Sequence, residues 1–369
     1  MRIASFNVEN LFSRVRVMNT GDWNQGAPIL AEWGRLTALL QKPTYTAADK
    51  TKIIASLKTL GLGKKDDGGQ YAILRQNRGR LVKRPTSGPM QVVARGRGDW
   101  VGWVELKVEA VNETATRMTA KVIDEIDADV LAVIEAEDRI ALMKFHDQLL
   151  APLNARYRTA MLIDGNDERG IDVGLLTKTS YPIESIVSHV DDSNGNGRIF
   201  SRDCPEYLVR TPGGATVLVL VNHLKSKIGA PAVSNARRKE QARRVRKIYD
   251  QRRAEGISRI AVVGDLNDVP DSDPLKPLLG SGSDLRDVFT HPKFVGDGRP
   301  GTFGNGTASQ KFDYLLLSPA LFNKVTSAKV HRKGVWGGTN GTLFPHYPEM
   351  TEPVHAASDH AAVSADITV

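Results

Sequence analysis

Residues 260–268 read IAVVGDLND: four apolar residues, Ile260 to Val263, stop at Gly264 and give way to Asp265, Asn267 and Asp268. An apolar run of this length bounded by a turn signal predicts a strand buried on both faces. Carboxylates and an amide at the end of such a strand suit a site, because buried strands present reactive groups where they emerge. Asp265 is able to hold a cation or a water, and Asn267 to donate an N–H to an oxyanion. Read alone, the stretch is equally an ordinary strand followed by an Asp/Asn turn. The other strand ends separate the two readings.

Comparable runs recur along the chain. Arg2–Asn7 predicts a first strand that delivers Asn7 and Glu9, and DVLAVI (129–134) a buried one that emits Glu135. Further strands are expected at 157–163, 172–177, 183–190 and 216–222, the last ending in His223. Asp313 opens the run 313–317, another strand is expected at 327–331, and Asp359-His360 precede a terminal run at 361–367. Helices are expected over 28–40, from Thr46 to about Leu60 with a Thr46/Asp49 capping box, over 113–126, and over the basic stretch 235–253. In 103–110, Val104, Leu106, Val108 and Ala110 fall on one face of a half-exposed strand and Trp103 on the other. Strands outnumber helices, which predicts stacked sheets with helices outside.

Composition bounds the possibilities. The chain has 369 residues, 41% hydrophobic and 25% charged, which excludes disorder as the default. Its longest apolar run, 215–221, is too short to span a bilayer, so no membrane association is expected. Cys204 is the single cysteine, which rules out an intrachain disulfide and fits a reducing compartment. With no charged-then-apolar leader in MRIASFNVEN, a cytoplasmic location is expected, unless a leader has been removed. The net charge of +8 is concentrated: residues 64–97 and 235–253 each hold nine basic and two acidic residues, and the remainder is net acidic. Two such blocks predict either a polyanionic partner or two solvated basic faces. No obligate protein partner is evident.

Six strand ends or starts therefore carry polar chemistry, which fold stability does not require. FNVENLF, DVLAVIEAED, VNHLKSK, VVGDLND, KFDYLLLS and SDHAAV, in this order, resemble the motifs of the endonuclease/exonuclease/phosphatase superfamily, whose members include pancreatic-type deoxyribonucleases. The resemblance covers both ends and the middle of one domain spanning 1–369. It leaves 13–111 as an unmatched insertion. It implies a four-layer α/β/β/α sandwich of two mixed sheets with the site at one edge. It also implies phosphoester hydrolysis assisted by Mg²⁺ or Mn²⁺.

By the same resemblance, Glu135 is the principal metal carboxylate, with Asn7 beside it and Glu9 and Asp359 nearby. Asp265 orients the water and Asn267 steadies the phosphate oxygens. His360 is the general base with Asp313 as its partner, and His223 a candidate general acid. RGIDVGLL, with Arg169, and NARRKEQA, with Arg238, are similar to stretches of bacterial nucleases related to the secreted type; Arg238 is then expected to face a substrate phosphate. The chemistry is coherent, since a hard, oxygen-liganded cation offsets the repulsion between a phosphodiester and an attacking hydroxide. A carboxylate behind a histidine fixes its tautomer.

The expected activity is a nuclease cleaving DNA, with RNA as another polymer. In the insertion, Arg75, Arg78, Arg80, Lys83 and Arg84 are expected to contact phosphates. Trp100 and Trp103 follow them, and Trp103 either stacks on a base or packs on neighbouring structure. The competing readings are a phosphatase or phosphodiesterase acting on a small molecule or lipid headgroup, and a silent nucleic-acid-binding protein. The complete set of acid, base and metal positions argues against the last.

Overall fold

Alternation along the strands builds two apolar faces per sheet, and those faces set the layers. The computed structural model describes residues 1–19, 23–153, 157–167, 170–195, 197–228 and 230–369. The chain divides into two compact units, one of Met1–Phe12, Val111–Lys227 and Ala232–Val369, the other of Ser13–Ala110 with Ile228–Pro231.

The first unit holds two mixed sheets. Seven strands form one of them, in the spatial order Phe294–Val295, Val325–His331, Ala362–Ile367, Arg2–Asn7, Val130–Ala136, Asp172–Thr177, Thr159–Ile163. The other has six, in the order Ile183–Val187, Glu206–Arg210, Thr216–His223, Ile260–Asp265, Asp313–Leu317, Arg286–Asp287. One set of alternate residues, including Ile3, Ala132, Ile134, Val219, Val221, Val263 and Leu315, meets between the sheets in one buried cluster. The complementary set on the seven-stranded sheet, Ala4, Phe6, Leu131 and Val133, packs on Met118, Val122, Ile123 and Ile126 of the helix Glu113–Ile126. On the six-stranded sheet, Leu218, Leu220, Val262 and Leu316 pack on Ala242, Val245, Ile248 and Tyr249 of the helix Pro231–Ala254. The result is an α/β/β/α sandwich. Each fully buried Ile, Leu or Val contributes roughly 1.5–3 kcal/mol of transfer free energy, so the inner cluster is the main source of cohesion.

Glu206–Arg210 was not expected as a strand. Charged Glu206 and Arg210 bracket only three residues, too few to show a period, and pairing with Thr216–His223 makes the strand.

The second unit, which occupies the unmatched stretch, has its own core of Leu36, Ile53, Leu57, Leu74, Trp100 and Val104. Its helix Ala47–Thr59 begins with the Thr46/Asp49 capping box. Pro28 lies inside the helix Trp23–Leu40, which starts five residues earlier than its expected beginning. The half-exposed strand at 103–110 proves to be two strands, Val101–Leu106 and Val108–Ala110. The first pairs with Ala72–Arg78 and the second with Ser13–Val15. This change of partner at Lys107 breaks the alternation, so Val108 is exposed rather than sharing the face of Val104 and Leu106.

Candidate active site

Extending the inward-facing alternation by one step past the apolar residues brings the polar groups together. Asn7 continues the inward series of Ile3, His223 that of Val219 and Val221, and Asp265 that of Ala261 and Val263. In the six-stranded sheet His223 stands opposite Asp265, and Asp265 opposite Asp313. Asn7 of the other sheet donates through Nδ2 to Asp265 Oδ2 at 3.2 Å, a buried bond that ties the two sheets at this edge.

Local backbone geometry makes the convergence possible. Gly264 adopts φ +125°, and a Cβ there would sit 1.9 Å from the Asn222 carbonyl oxygen on the adjacent strand. Only glycine permits that approach. Opposite the Val130–Ala136 strand, the register passes from Ala136 directly to Ile134, so Glu135 is a bulged extra residue, with φ +70°. A bulge re-aims a side chain, and here it turns Glu135 toward the site, its Oε1 3.5 Å from His223 Nε2. Glu9 and Asn267 also have left-handed backbones, at φ +50° and +55°. Each such residue costs on the order of 1–3 kcal/mol, and three of them at one sheet edge indicate function rather than stability.

Two histidines flank Asp265. His223 Nε2 lies 3.6 Å from Asp265 Oδ2, and His360 Nε2 lies 3.9 Å from the same oxygen. His360 Nδ1 is 2.8 Å from Asp313 Oδ2, which leaves Nε2 facing the site. Burial opposes a charge on His360, but Asp313, Asp359 and Asp265 outweigh it and hold its pKa well above the ordinary value. Burial pushes the Asp265 carboxyl up to about 7, with Asp313 and Glu135 adding to the rise while His360 and the Asn267 N–H oppose it. Asn267 donates its backbone N–H to Asp265 Oδ1 at 2.8 Å. Its Nδ2 donates to the Leu224 carbonyl and to Asp265 Oδ2, so a phosphate contact requires exchange of that second bond. Asp359 Oδ1 stands 3.7 Å from His360 Nε2, and the Asp359 N–H donates to Glu9 Oε2. Glu9 in turn donates its backbone N–H to Asn7 Oδ1.

The donor set fits a hard cation. Glu135, Asp265, Asp313 and Asp359 crowd two histidines, and Asp313 Oδ1 is buried with no hydrogen-bond partner. Asp265, Asp313 and His360 offer ligand atoms within 4.8 Å of one another, but His360 Nδ1 and Asp313 are already joined. That pairing suits proton handling better than coordination. Glu135, Asn7, Glu9 and Asp359 carry oxygen donors, the ligand type that hard divalent cations favour.

Several supporting residues escaped the sequence reading. Ser358 Oγ donates to the Asn7 carbonyl and accepts from the His360 N–H, which fixes the SDH turn against the first strand. Buried Lys311 pairs with Asp287 at 3.1 Å and donates to the Asp313 carbonyl. Thr302 Oγ1 accepts from the Asp313 N–H. Ser358 and Lys311 open the SDHAAV and KFDYLLLS motifs, one or two residues before Asp359 and Asp313, and that placement was the signal available.

The expected anion-binding residues have mixed fates. Arg238 does not face an open surface. Its guanidinium is fully buried and donates to Asp268, the Lys225 carbonyl and Asn235 Oδ1, anchoring the segment that follows His223. Arg169 lies outside the described residues. In the second unit Arg75 pairs with Glu105 and Arg84 with Asp66, and Arg84 also donates to the Leu62 and Gly63 carbonyls. Arg78, Arg80 and Lys83 are exposed, and among the described residues no ion pair involves them. Trp100 is a core residue whose indole N–H donates to the Tyr45 hydroxyl, whereas Trp103 is 47% exposed.

A family model described as Endonuclease/Exonuclease/phosphatase family matches residues 96–333. No curated protein matches the sequence. Among solved structures, the mannosyl-6-phosphatase of Bacteroides thetaiotaomicron superposes with a TM-score of 0.50 at 16% identity, covering 69% of this chain and 92% of that one. The human Nocturnin catalytic domain gives 0.49 at 14% identity, over 70% and 88%. A truncated TDP2 of Caenorhabditis elegans gives 0.48 at 17% identity, over 69% and 91%. At such identities the first likeness establishes the fold alone, and the two weaker superpositions add nothing to it.

Proposed function

The chain belongs to the endonuclease/exonuclease/phosphatase family, whose members are phosphoester hydrolases, and on that premise we propose a divalent-metal-dependent nuclease that cleaves DNA. One observation carries the reading: two histidines, one ending the strand Thr216–His223 and one just before the strand Ala362–Ile367, flank Asp265 Oδ2 at 3.6 and 3.9 Å, the second backed by a buried aspartate. Hydrolysis of a diester needs a base for the attacking water and an acid for the leaving oxygen, and this pair offers both. Asp313 orients His360 so that Nε2 takes the water's proton, and Asp265 holds that water between the histidines. His223 delivers a proton to the departing oxygen. Asn267 steadies a phosphate oxygen once its side chain exchanges the bond to Asp265. Glu135, Asn7, Glu9 and Asp359 would hold the cation, Mg²⁺ or Mn²⁺. When bound, that ion would supply positive charge for the phosphate and leaving oxygens and would offset the charge of Asp359, one of the carboxylates that raise the His360 pKa.

The test incubates chelator-treated protein, with and without Mg²⁺ or Mn²⁺, with circular and linear DNA, RNA, a chromogenic phosphodiester and a phosphomonoester. Metal-dependent cleavage of DNA and of the diester is expected. Release of phosphate from the monoester alone would replace the nuclease reading with a phosphatase. Hydrolysis unaffected by excess chelator would remove the metal.

A further inference from the structure

In the second unit, the two-stranded ribbon of Ala72–Arg78 and Val101–Leu106 buries one face and leaves the other in solvent. Ala72, Leu74, Val104 and Leu106 point inward. On the outward face Arg75 stands directly opposite Trp103, and Arg78 directly opposite Val101. Trp103 and Val101 are 47% and 50% exposed, a large aromatic and a β-branched residue on the same open face. Glu105 holds this arrangement in place. It accepts from Arg75 Nε at 2.9 Å and Nη2 at 3.4 Å. Nearly half of the indole's surface is open to solvent, and Arg75 retains donors that Glu105 does not use. Gln76, on the inward side, accepts from the Leu81 N–H and binds Asp66, which fixes the bulge that brings Arg78 into line with Val101.

An open aromatic face flanked by arginines across a rigid ribbon has one chemistry that matches all its parts. Bases stack on the ring and phosphates meet the guanidinium groups. Duplex DNA presents its charge but hides its base faces, so the exposed ring favours an unpaired strand. We propose that the Trp103–Arg75–Arg78 face of the second unit binds single-stranded nucleic acid, with Arg80 and Lys83 extending the phosphate track. The proposal deepens the nuclease reading by naming a strand-binding surface remote in sequence from every catalytic motif. It rests on that reading for its biological sense, while the binding is measured without turnover.

The experiment uses the full chain in excess chelator, with a fluorescein-labelled oligothymidylate and a duplex of equal length, followed by anisotropy across a salt series. Trp103→Ala is expected to weaken single-strand binding about 5- to 150-fold, the range for losing one stacked base, with Trp103→Phe recovering most of the loss. Arg78→Ala is expected to flatten the plot of log K against log salt by about 0.7. Single-strand affinity unchanged by Trp103→Ala, or an equal loss on duplex, overturns the proposal. Should Trp103→Ala lower the melting temperature, Arg78→Glu carries the test, because it alters only an exposed charge; unchanged affinity there overturns it. Wild-type strand binding without any diester hydrolysis in Mg²⁺ defeats the nuclease reading and leaves this one standing.

Discussion

Residues 64–97 and 235–253 carry the same formal charge, nine basic and two acidic residues each, yet the fold treats them in opposite ways. Within the helix Pro231–Ala254, Arg238 is buried on Asp268, Arg244 meets Asp192, Lys239 meets Asp273, and Arg252 clamps Glu206 and Glu255. The helix thus neutralises acidic loops and one buried strand carboxylate of the six-stranded sheet. In the other segment only part of the charge is matched locally, through Arg75, Arg84 and Arg95, while Arg78, Arg80 and Lys83 project from an open surface. Equal charge in sequence therefore marks a structural clamp in one place and an open basic surface in the other. What separates them is the supply of carboxylates within reach after folding.

The comparison breaks most visibly at Arg238. Removing one partner of a buried pair leaves the other desolvated, at a typical cost of 3–5 kcal/mol. Lys227 also reaches Asp268, at 3.0 Å, so Arg238→Ala is expected to lower the unfolding free energy by about 3 kcal/mol, the lower end of that range. Chemical denaturation measures this, and full stability in the variant would show that the helix charge is not structural.

Glu206 sharpens the same point through pH. Burial alone favours its neutral form, but bonds from His189 and Arg252 outweigh it and hold its pKa below the ordinary 4.5. A depressed carboxylate contributes stability above its unfolded pKa and loses it as pH falls through the folded one. Wild-type protein should therefore lose stability as pH drops below 4.5, and Glu206→Gln should remove about 2 kcal/mol at neutral pH and flatten that acid limb. An identical acid limb in the variant would contradict the clamp.

A smaller effect is expected in the other segment. Arg78, Arg80 and Lys83 changed together to Ala should alter stability by no more than about 0.5 kcal/mol each, as for exposed sites generally. The salt slope for single-strand binding should flatten by about 2, at 0.7 per phosphate contact. Arg237→Ala with Lys247→Ala, at exposed positions of the basic helix, should change neither quantity. A flattened slope from the helix pair instead would exchange the roles of the two segments.

Much of the architecture was legible because it depends on alternation. The strands 172–177 and 313–317 and the helix 113–126 follow from apolar spacing, and the Thr46/Asp49 capping box from two residues. The site residues at strand ends were legible for the same reason: Asn7, His223, Asp265 and Asp313 simply continue the inward series. Glu135 does not follow from alternation, since its orientation depends on a bulge created by the neighbouring strand's register. Nor does the burial of Arg238, because its partners are far along the chain and charge patterning favours an exposed basic face. Tertiary pairing decides such cases, and single-sequence periods do not contain it.

Turnover of a chromogenic phosphodiester by wild type, His360→Ala and Glu135→Gln, each with excess chelator and with Mg²⁺, tests the proposed chemistry most directly. The substrate is too small to need the second unit, so only the sheet-edge site is read. Wild type should turn over in Mg²⁺ and not in chelator. His360→Ala should lose about 10²- to 10⁴-fold in turnover, the usual worth of a positioned acid–base group. Glu135→Gln should be nearly inactive, because a neutral amide is a poor ligand for a hard cation. Wild-type rates in either folded variant, or in chelator, would contradict the assignment.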